Sequence, residues 1–291
     1  MPAPIVIGVD GSEHSLSALH WAADRGNDRG WPVRIVHALD DAARRTPYFS
    51  PEIVDEAARR IVDDARAVVA DRTHGTAIET LVAIGTPPDA LLQAAQDSQM
   101  IVLGRRGSGA FGTLLLGSTS FAVASRAPGP VVVVPETVRP DFNGPVIVGV
   151  DGSPRCLDAV EFGFDFADRT GWPLHAIHVW DVPNVYGWDD EPGKHQRRSR
   201  LERDARLTIS ETLAGKRERY PNVEVQEKPM RGHPVASLVA STNDASLLVV
   251  GGSGHGELGG VGLGSVARGV LQHAYGPVAV VHAQGQTTSS N

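Results

Sequence analysis

Cysteine is almost missing from this chain: Cys156 is the one thiol in 291 residues. A single sulfur closes no internal disulfide, and its scarcity suits a reducing cytosol. An excess of basic charge is also lacking. Lys and Arg number 27 against 34 Asp and Glu, a formal net charge of −7, whereas a general nucleic-acid binder needs a basic footprint. No apolar run approaches the roughly 20 residues that span a bilayer. Met1-Pro-Ala-Pro leads directly into an apolar strand pattern, which leaves no room for a secretory leader. The expectation is a cytoplasmic protein that binds neither nucleic acid nor membrane. What is present, 41% apolar and 21% charged residues, is the makeup of a globular protein, and the length accommodates two domains with separate cores.

One domain is written twice. Ile5-Val-Ile-Gly-Val-Asp-Gly-Ser12 returns as Val146-Ile-Val-Gly-Val-Asp-Gly-Ser153, and Gly30-Trp-Pro-Val-Arg-Ile-Val-His37 as Gly171-Trp-Pro-Leu-His-Ala-Ile-His178, both at an offset of 141. From Gly85 and Gly232 onward the offset is 147, so the second copy carries six extra residues. They fall in a window that holds 181–193, rich in Asp, Pro and Gly, which reads as a longer surface loop. Domains are expected over 1–137 and 145–284, joined by a linker at 138–144 within the stretch 135–144, with a polar, disordered tail at 285–291.

Within each copy, apolar runs of strand length alternate with helical periodicity. In the first, strands are predicted over 5–9, 33–38, 77–84, 100–103 and 131–134, and helices over 13–29, 51–72, 87–96 and 118–126. Short strands rich in Val and Ile are those covered on both faces. The fold class is α/β: two tandem doubly wound domains, each with a five-stranded parallel sheet, right-handed helical crossovers and the strand order 3-2-1-4-5. That order sets strands one and four side by side, and a ligand crevice opens at their carboxyl ends.

Two glycine-rich stretches empty into this crevice. Gly104, Gly107 and Gly117-Ser118 follow predicted strand four, and Gly251, Gly254 and Gly264-Ser265 repeat their spacing: glycine, two residues, glycine, nine residues, Gly-Ser. Glycine lets the main chain approach a ligand closely, and a helix start offers free N–H groups to an anion. A surface turn would explain glycines alone; their duplication at the switch point favours an anion cradle. Ser118 and Ser265 suit a helix cap or a hydroxyl donor to phosphate. Two familiar motifs come close and do not fit. Gly107-Ser-Gly-Ala-Phe-Gly112 and Gly254-His-Gly-Glu-Leu-Gly259 have the form GxGxxG, but they follow strand four rather than strand one and lack a later ribose-binding acid, which disfavours a dinucleotide. Gly112-Thr-Leu-Leu-Leu-Gly-Ser-Thr119 looks like a P-loop with its lysine missing, as does 259–266, so binding without turnover fits better than fast phosphoryl transfer.

Asp10 and Asp151 end strand one. They could bond a ribose or adenine, or support a phosphate-bound Mg²⁺; an Asx turn leading into a helix with Ser12 or Ser153 as N-cap is compatible with either role, because a turn can also present its carboxylate. His37 and His178 are best read as satisfied histidines beside the core, and Trp31 and Trp172 as buried. His175 and His178 are no metal pair, because an odd spacing on a strand points them to opposite faces. Arg105 and Arg106 give the first loop two cations where the second has Gly252 and Ser253, with His255 just beyond. The basic run at 194–200 reads as the solvated start of a helix, offset by Glu202 and Asp204.

The Val-Asp-Gly-Ser signature of strand one, with the spaced glycines and their terminal Gly-Ser, resembles the ATP-binding branch of the universal stress protein family. The resemblance covers nearly the whole chain, in the tandem two-domain form of mycobacteria and other actinobacteria. It implies an adenine nucleotide alpha hydrolase-like fold and an ATP site in each crevice, with or without Mg²⁺. Implied adenine and ribose contacts are Gly8, Val9, Asp10 and Ala38; implied phosphate contacts are Gly104, Arg106, Gly107, Ser108, Gly109, Gly117, Ser118 and Thr119. The matching positions in the second domain are Gly149, Val150, Asp151, Val179, Gly251, Gly254, His255, Gly256, Gly264, Ser265 and Val266. Serine at 253, where the first copy has arginine, argues against equal sites. The resemblance also implies pairing of domains through the last strand, and a homodimer. The function implied is nucleotide-dependent regulation of a stress response; the rivals are a slow Mg²⁺-dependent ATP hydrolase and a nucleotide-independent chaperone or scaffold.

Overall fold

A computed structural model describes residues 2–45, 47–73, 75–107, 115–136, 144–180, 194–253 and 262–283. Ser108, Gly109, Gly254, His255 and Gly256, the loop at 181–193, linker residues 138–143 and the tail at 285–291 lie outside the described residues.

Two compact units have Met1–Asp141 and Phe142–Gly276 as their main segments. The first runs β1 (Ile5–Gly8), α1 (Glu13–Arg29), β2 (Val33–Leu39), α2 (Asp41–Arg44), α3 (Pro51–Ala70), β3 (Ile78–Ile84), α4 (Pro87–Ala94), β4 (Met100–Gly104), α5 (Ser118–Arg126) and β5 (Val131–Val134). Its strands lie in the order β3-β2-β1-β4-β5 and pair in parallel, with Ile5 opposite both Val33 and Met100. The doubly wound α/β class and its strand order are thus as the sequence predicts. Residues of β4 and β5 are buried throughout, as a strand covered on both faces requires. The edge strand β3 alternates between half-buried and exposed positions.

Helix α1 starts where the Ser12 hydroxyl accepts the Ser15 N–H at 3.2 Å, satisfying one of the donors a helix start leaves open. Its Ala18, Leu19, Ala22 and Ala23 are buried, one apolar stripe at helical spacing. Helix α3 opens with Pro51 and buries Ala58, Val62, Ala65 and Val69 in the same way.

The second unit runs β6 (Val146–Gly149), a 3₁₀ turn at Pro154–Cys156, α6 (Leu157–Thr170), β7 (Leu174–Trp180), α7 (Lys194–Thr212), α8 (Lys216–Arg219), β8 (Val225–Arg231), α9 (Pro234–Ser241), β9 (Leu247–Gly251), α10 (Ser265–His273) and β10 (Val278–Val281). The order β8-β7-β6-β9-β10 repeats that of the first unit. Its core is more aromatic: Phe164 and Phe166 are fully buried, and Tyr220 stacks on Phe164 at 5.4 Å. The basic run at 194–200 does open a helix, and Arg206 pairs with Glu202 at 3.1 Å one turn away.

Boundaries differ in small ways. β2 and β4 each run one residue further than predicted, which makes Gly104 the last residue of a strand. α3 and α4 each stop two residues early. Helix α2 has no signal in hydrophobic period; it is held by the Asp40 carboxylate, which accepts the Ala42 N–H at 2.9 Å, and by Arg44, which donates to both oxygens of Asp55 at 2.8 and 2.9 Å.

Candidate nucleotide site

The crevice is built first from the turn after β1. Asp10 Oδ1 accepts the Ser12 N–H at 3.1 Å and the Ser12 hydroxyl at 2.6 Å, an Asx turn feeding the α1 cap. Its second oxygen faces the loop after β4: a Cβ on Gly107 would stand 2.5 Å from Asp10 Oδ2. Only glycine permits that approach without displacing the carboxylate. One oxygen of Asp10 therefore builds the turn and the other lies against the start of the glycine loop. In the second unit, Asp151 Oδ1 accepts from Ser153 N and Oγ at 2.9 and 2.7 Å.

Gly104 has a packing role as well. A Cβ there would stand 2.5 Å from the His14 carbonyl oxygen, because the first turn of α1 lies directly on the end of β4. Just beyond, the Gly117 N–H donates to the Arg105 carbonyl at 2.8 Å, and the Gly264 N–H to the Gly252 carbonyl at 2.7 Å. The same bond thus closes the neck of the glycine loop in both copies. Gly117 and Gly264 are the cap residues of α5 and α10, and no side chain caps either helix. This corrects the expectation for Ser118 and Ser265, which are the first helical residues and not caps. The first helical bonds are Phe121 N–H to Gly117 O and Arg268 N–H to Gly264 O, both 2.9 Å. The N–H groups of Ser118, Thr119 and Ser120 consequently have no acceptor within the helix.

A cavity of about 660 Å³ occupies the crevice of the first unit. Gly8, Val9, Asp10, Ala38, Gly104, Arg106, Gly107, Gly117, Ser118 and Thr119 line it. A cavity of about 230 Å³ lies at the matching place in the second, lined by Gly149, Val150, Asp151, Val179, Gly251, Gly264, Ser265 and Val266. Sequence reasoning missed His14, Ile61 and Pro87 in the first lining, and Cys156, Pro234 and Leu238 in the second. The repeat of Gly85-Thr-Pro87 as Gly232-His-Pro234 carried a signal for the prolines; nothing marked His14.

His37 and His178 are satisfied as expected. Their Nδ1 atoms lie 2.8 and 2.7 Å from the carbonyls of Val9 and Val150, so each holds the end of strand one. His175 Nδ1 lies 3.0 Å from Lys228 Nζ, and no group of three or more metal-ligating side chains occurs among the described residues. No helix among them is long and apolar enough to cross a membrane.

Charge separates the two cavities. In the first, His14 Nε2 lies 3.3 Å and Arg106 Nη2 3.6 Å from one oxygen of Glu136. Burial lowers the His14 pKa below 6.5, with Glu136 opposing and Arg106 adding to the shift. Burial also lowers the pKa of Arg105, helped by Arg106. In the second unit Gly252 and Ser253 replace the arginines, and a Cβ on Gly252 would collide with the His282 ring. Cys156 takes the place of Ser15, and burial raises its thiol pKa. The first cavity therefore joins an apolar wall of Val36, Ile61 and Leu103 to a cationic end with open N–H groups, an arrangement that accepts a flat ring and an anion together.

A model of the universal stress protein family matches residues 1–135 and 143–282. A universal stress protein of Mycolicibacterium smegmatis is 37% identical over 292 residues, which cover 95% of this chain and 96% of that protein. Universal stress protein Rv2005c of Mycobacterium tuberculosis is 37% identical over 289 residues, with coverage of 95% and 96%. Among solved structures, that of a universal stress protein from Archaeoglobus fulgidus DSM 4304 has a TM-score of 0.71 at 21% identity, covering 97% of this chain and 98% of that one. At that identity the likeness is one of fold.

Proposed function

The chain belongs to the universal stress protein family, and from that premise we propose that it is a cytoplasmic, ATP-binding regulator of the stress response. The observation that carries this reading is the cavity between β1 and β4, which gathers Asp10, Arg106 and the uncapped start of α5 around one space. Adenine and ribose lie on Val9, Asp10 and Ala38, and the phosphates on Arg106, Gly107, Gly117, Ser118 and Thr119. In the second cavity Val150, Asp151 and Val179 face the nucleoside, and Gly251, Gly264, Ser265 and Val266 the phosphates. A Mg²⁺ carried by the phosphates would come within reach of Asp10. With the P-loop lysine missing, occupancy rather than turnover is the output.

Mass spectrometry of ligand released from freshly purified, denatured protein tests the reading. ATP is the expected ligand; protein that carries no adenine nucleotide and gives no heat on titration with one would overturn it. A slow hydrolase is the second reading, favoured by the Asp10 oxygen lying against Gly107. Steady phosphate release that disappears in Asp10→Asn would establish it. Two chains form a homodimer, for which light scattering should return about twice the 30.8 kDa chain mass.

A further inference from the structure

The cationic end of the first cavity already holds an anion of its own. Glu136 follows β5 by one residue beyond Pro135, and its main-chain carbonyl accepts the Ser17 hydroxyl at 2.8 Å. That anchor on α1 brings the carboxylate to His14 Nε2 at 3.3 Å and Arg106 Nη2 at 3.6 Å, both through the same oxygen. His14 and Arg106 each line the cavity. Glu136 is about half exposed, so the carboxylate can turn outward without being stranded in the interior. The His14 ring is mostly buried, and its Nδ1 has no hydrogen-bond partner. Arg105 and Asp10 are the other charges that act on it.

We propose that Glu136 is an internal competitor: its carboxylate occupies Arg106 and His14 in the empty cavity, and the outer phosphates of a nucleoside triphosphate displace it. This rests on the nucleotide reading above. It adds a residue that sets how tightly, and for how many phosphates, the first cavity binds. A neutral nucleoside reaches the apolar wall without disturbing Glu136. A polyphosphate must first break the Glu136 contacts, and it then places its own charge against the same two side chains and the start of α5. Glu136 therefore restrains affinity for the triphosphate while leaving adenosine untouched. The second cavity lacks the device, since Ala283, Ser253 and Arg155 stand at the positions of Glu136, Arg106 and His14.

Titration calorimetry on the full chain carrying Glu136→Gln tests this, with ATP, AMP, adenosine and inorganic tripolyphosphate as probes. Because the contacts are partly exposed, ATP should bind the first cavity about three- to tenfold more tightly. AMP should gain less and adenosine nothing, and the gain should vanish when Arg106→Ala is added. Where wild type binds ATP, weaker or unchanged ATP binding in the variant would overturn the proposal, because Glu136 would then be orienting Arg106 or playing no part. Tripolyphosphate separates this claim from the nucleotide reading, since it needs only the cationic end. If Glu136→Gln tightens tripolyphosphate while ATP and adenosine fail to bind, the nucleotide reading falls and the competitor stands. If neither polyanion binds wild type or variant, the competitor falls too.

Discussion

The neck bond measures 2.8 Å in the first unit and 2.7 Å in the second, and the histidine bond to strand one 2.8 and 2.7 Å. The Ser-to-Asp bond of the turn measures 2.6 and 2.7 Å. Yet the cavities these bonds frame are about 660 and 230 Å³. Arg106 and His14 line the larger one, whereas Ser253 and Cys156 line the smaller. Main-chain geometry and its few polar braces have stayed alike while the side chains that fix charge and volume have parted. The halves thus share a way of opening a crevice and differ in what each crevice can hold.

The sharpest way to break the comparison is to fill one neck at a time. A Cβ on Gly117 would stand 3.4 Å from the Arg105 carbonyl, an ordinary contact, so Gly117→Glu should fold while placing bulk and negative charge where phosphate belongs. Loss of ATP from the first cavity by at least about 100-fold is expected, with the melting temperature nearly unchanged. Gly264→Glu should spare the first cavity. Exchanging the cations comes next. Arg106→Ser should weaken ATP binding in the first cavity about tenfold, the scale of one charge-assisted hydrogen bond. Ser253→Arg should tighten the second by less, because its smaller volume and the His282 ring remain; calorimetry on each variant reads both.

Much of this frame is legible in the order of the residues alone. The places and burial of the central strands follow from runs of Val and Ile, and the strand order and its crevice from the doubly wound rule that sets strands one and four together. Asp10 and Gly107 stand out as residue types, but their mutual fit does not, because it depends on which carboxylate oxygen the Asx turn consumes. His14 and Glu136 carry no signal at all: they lie on the first turn of α1 and just beyond β5, and only the packed sheet joins them. Gly104 carries a signal with two meanings, close approach to a ligand and close approach to α1, and sequence alone does not separate them.

Smaller effects sharpen the picture. Cys156 lines the second cavity and burial holds its thiol pKa up, so alkylation near neutral pH should be slow. ATP should slow it further only if it enters that cavity; alkylation followed by intact mass measures this. Acid stability should show the least effect. Burial is the first cause lowering the pKa of His14, His20 and His175, so the unfolded chain takes up protons before the folded one does. Their contribution is whole above the ordinary value of 6.5 and is lost as pH falls through the lowered values. His14→Gln should flatten this loss slightly in urea unfolding curves collected from pH 8 to 5.

Titration of wild-type protein with ATP, set beside Gly117→Glu and Gly264→Glu, tests the central claim most directly. Two crevices that bind nucleotide at a glycine neck should give two unequal sites, with the tighter removed by the first variant and the weaker by the second. A wild-type titration without heat, or one that neither variant alters, would contradict it.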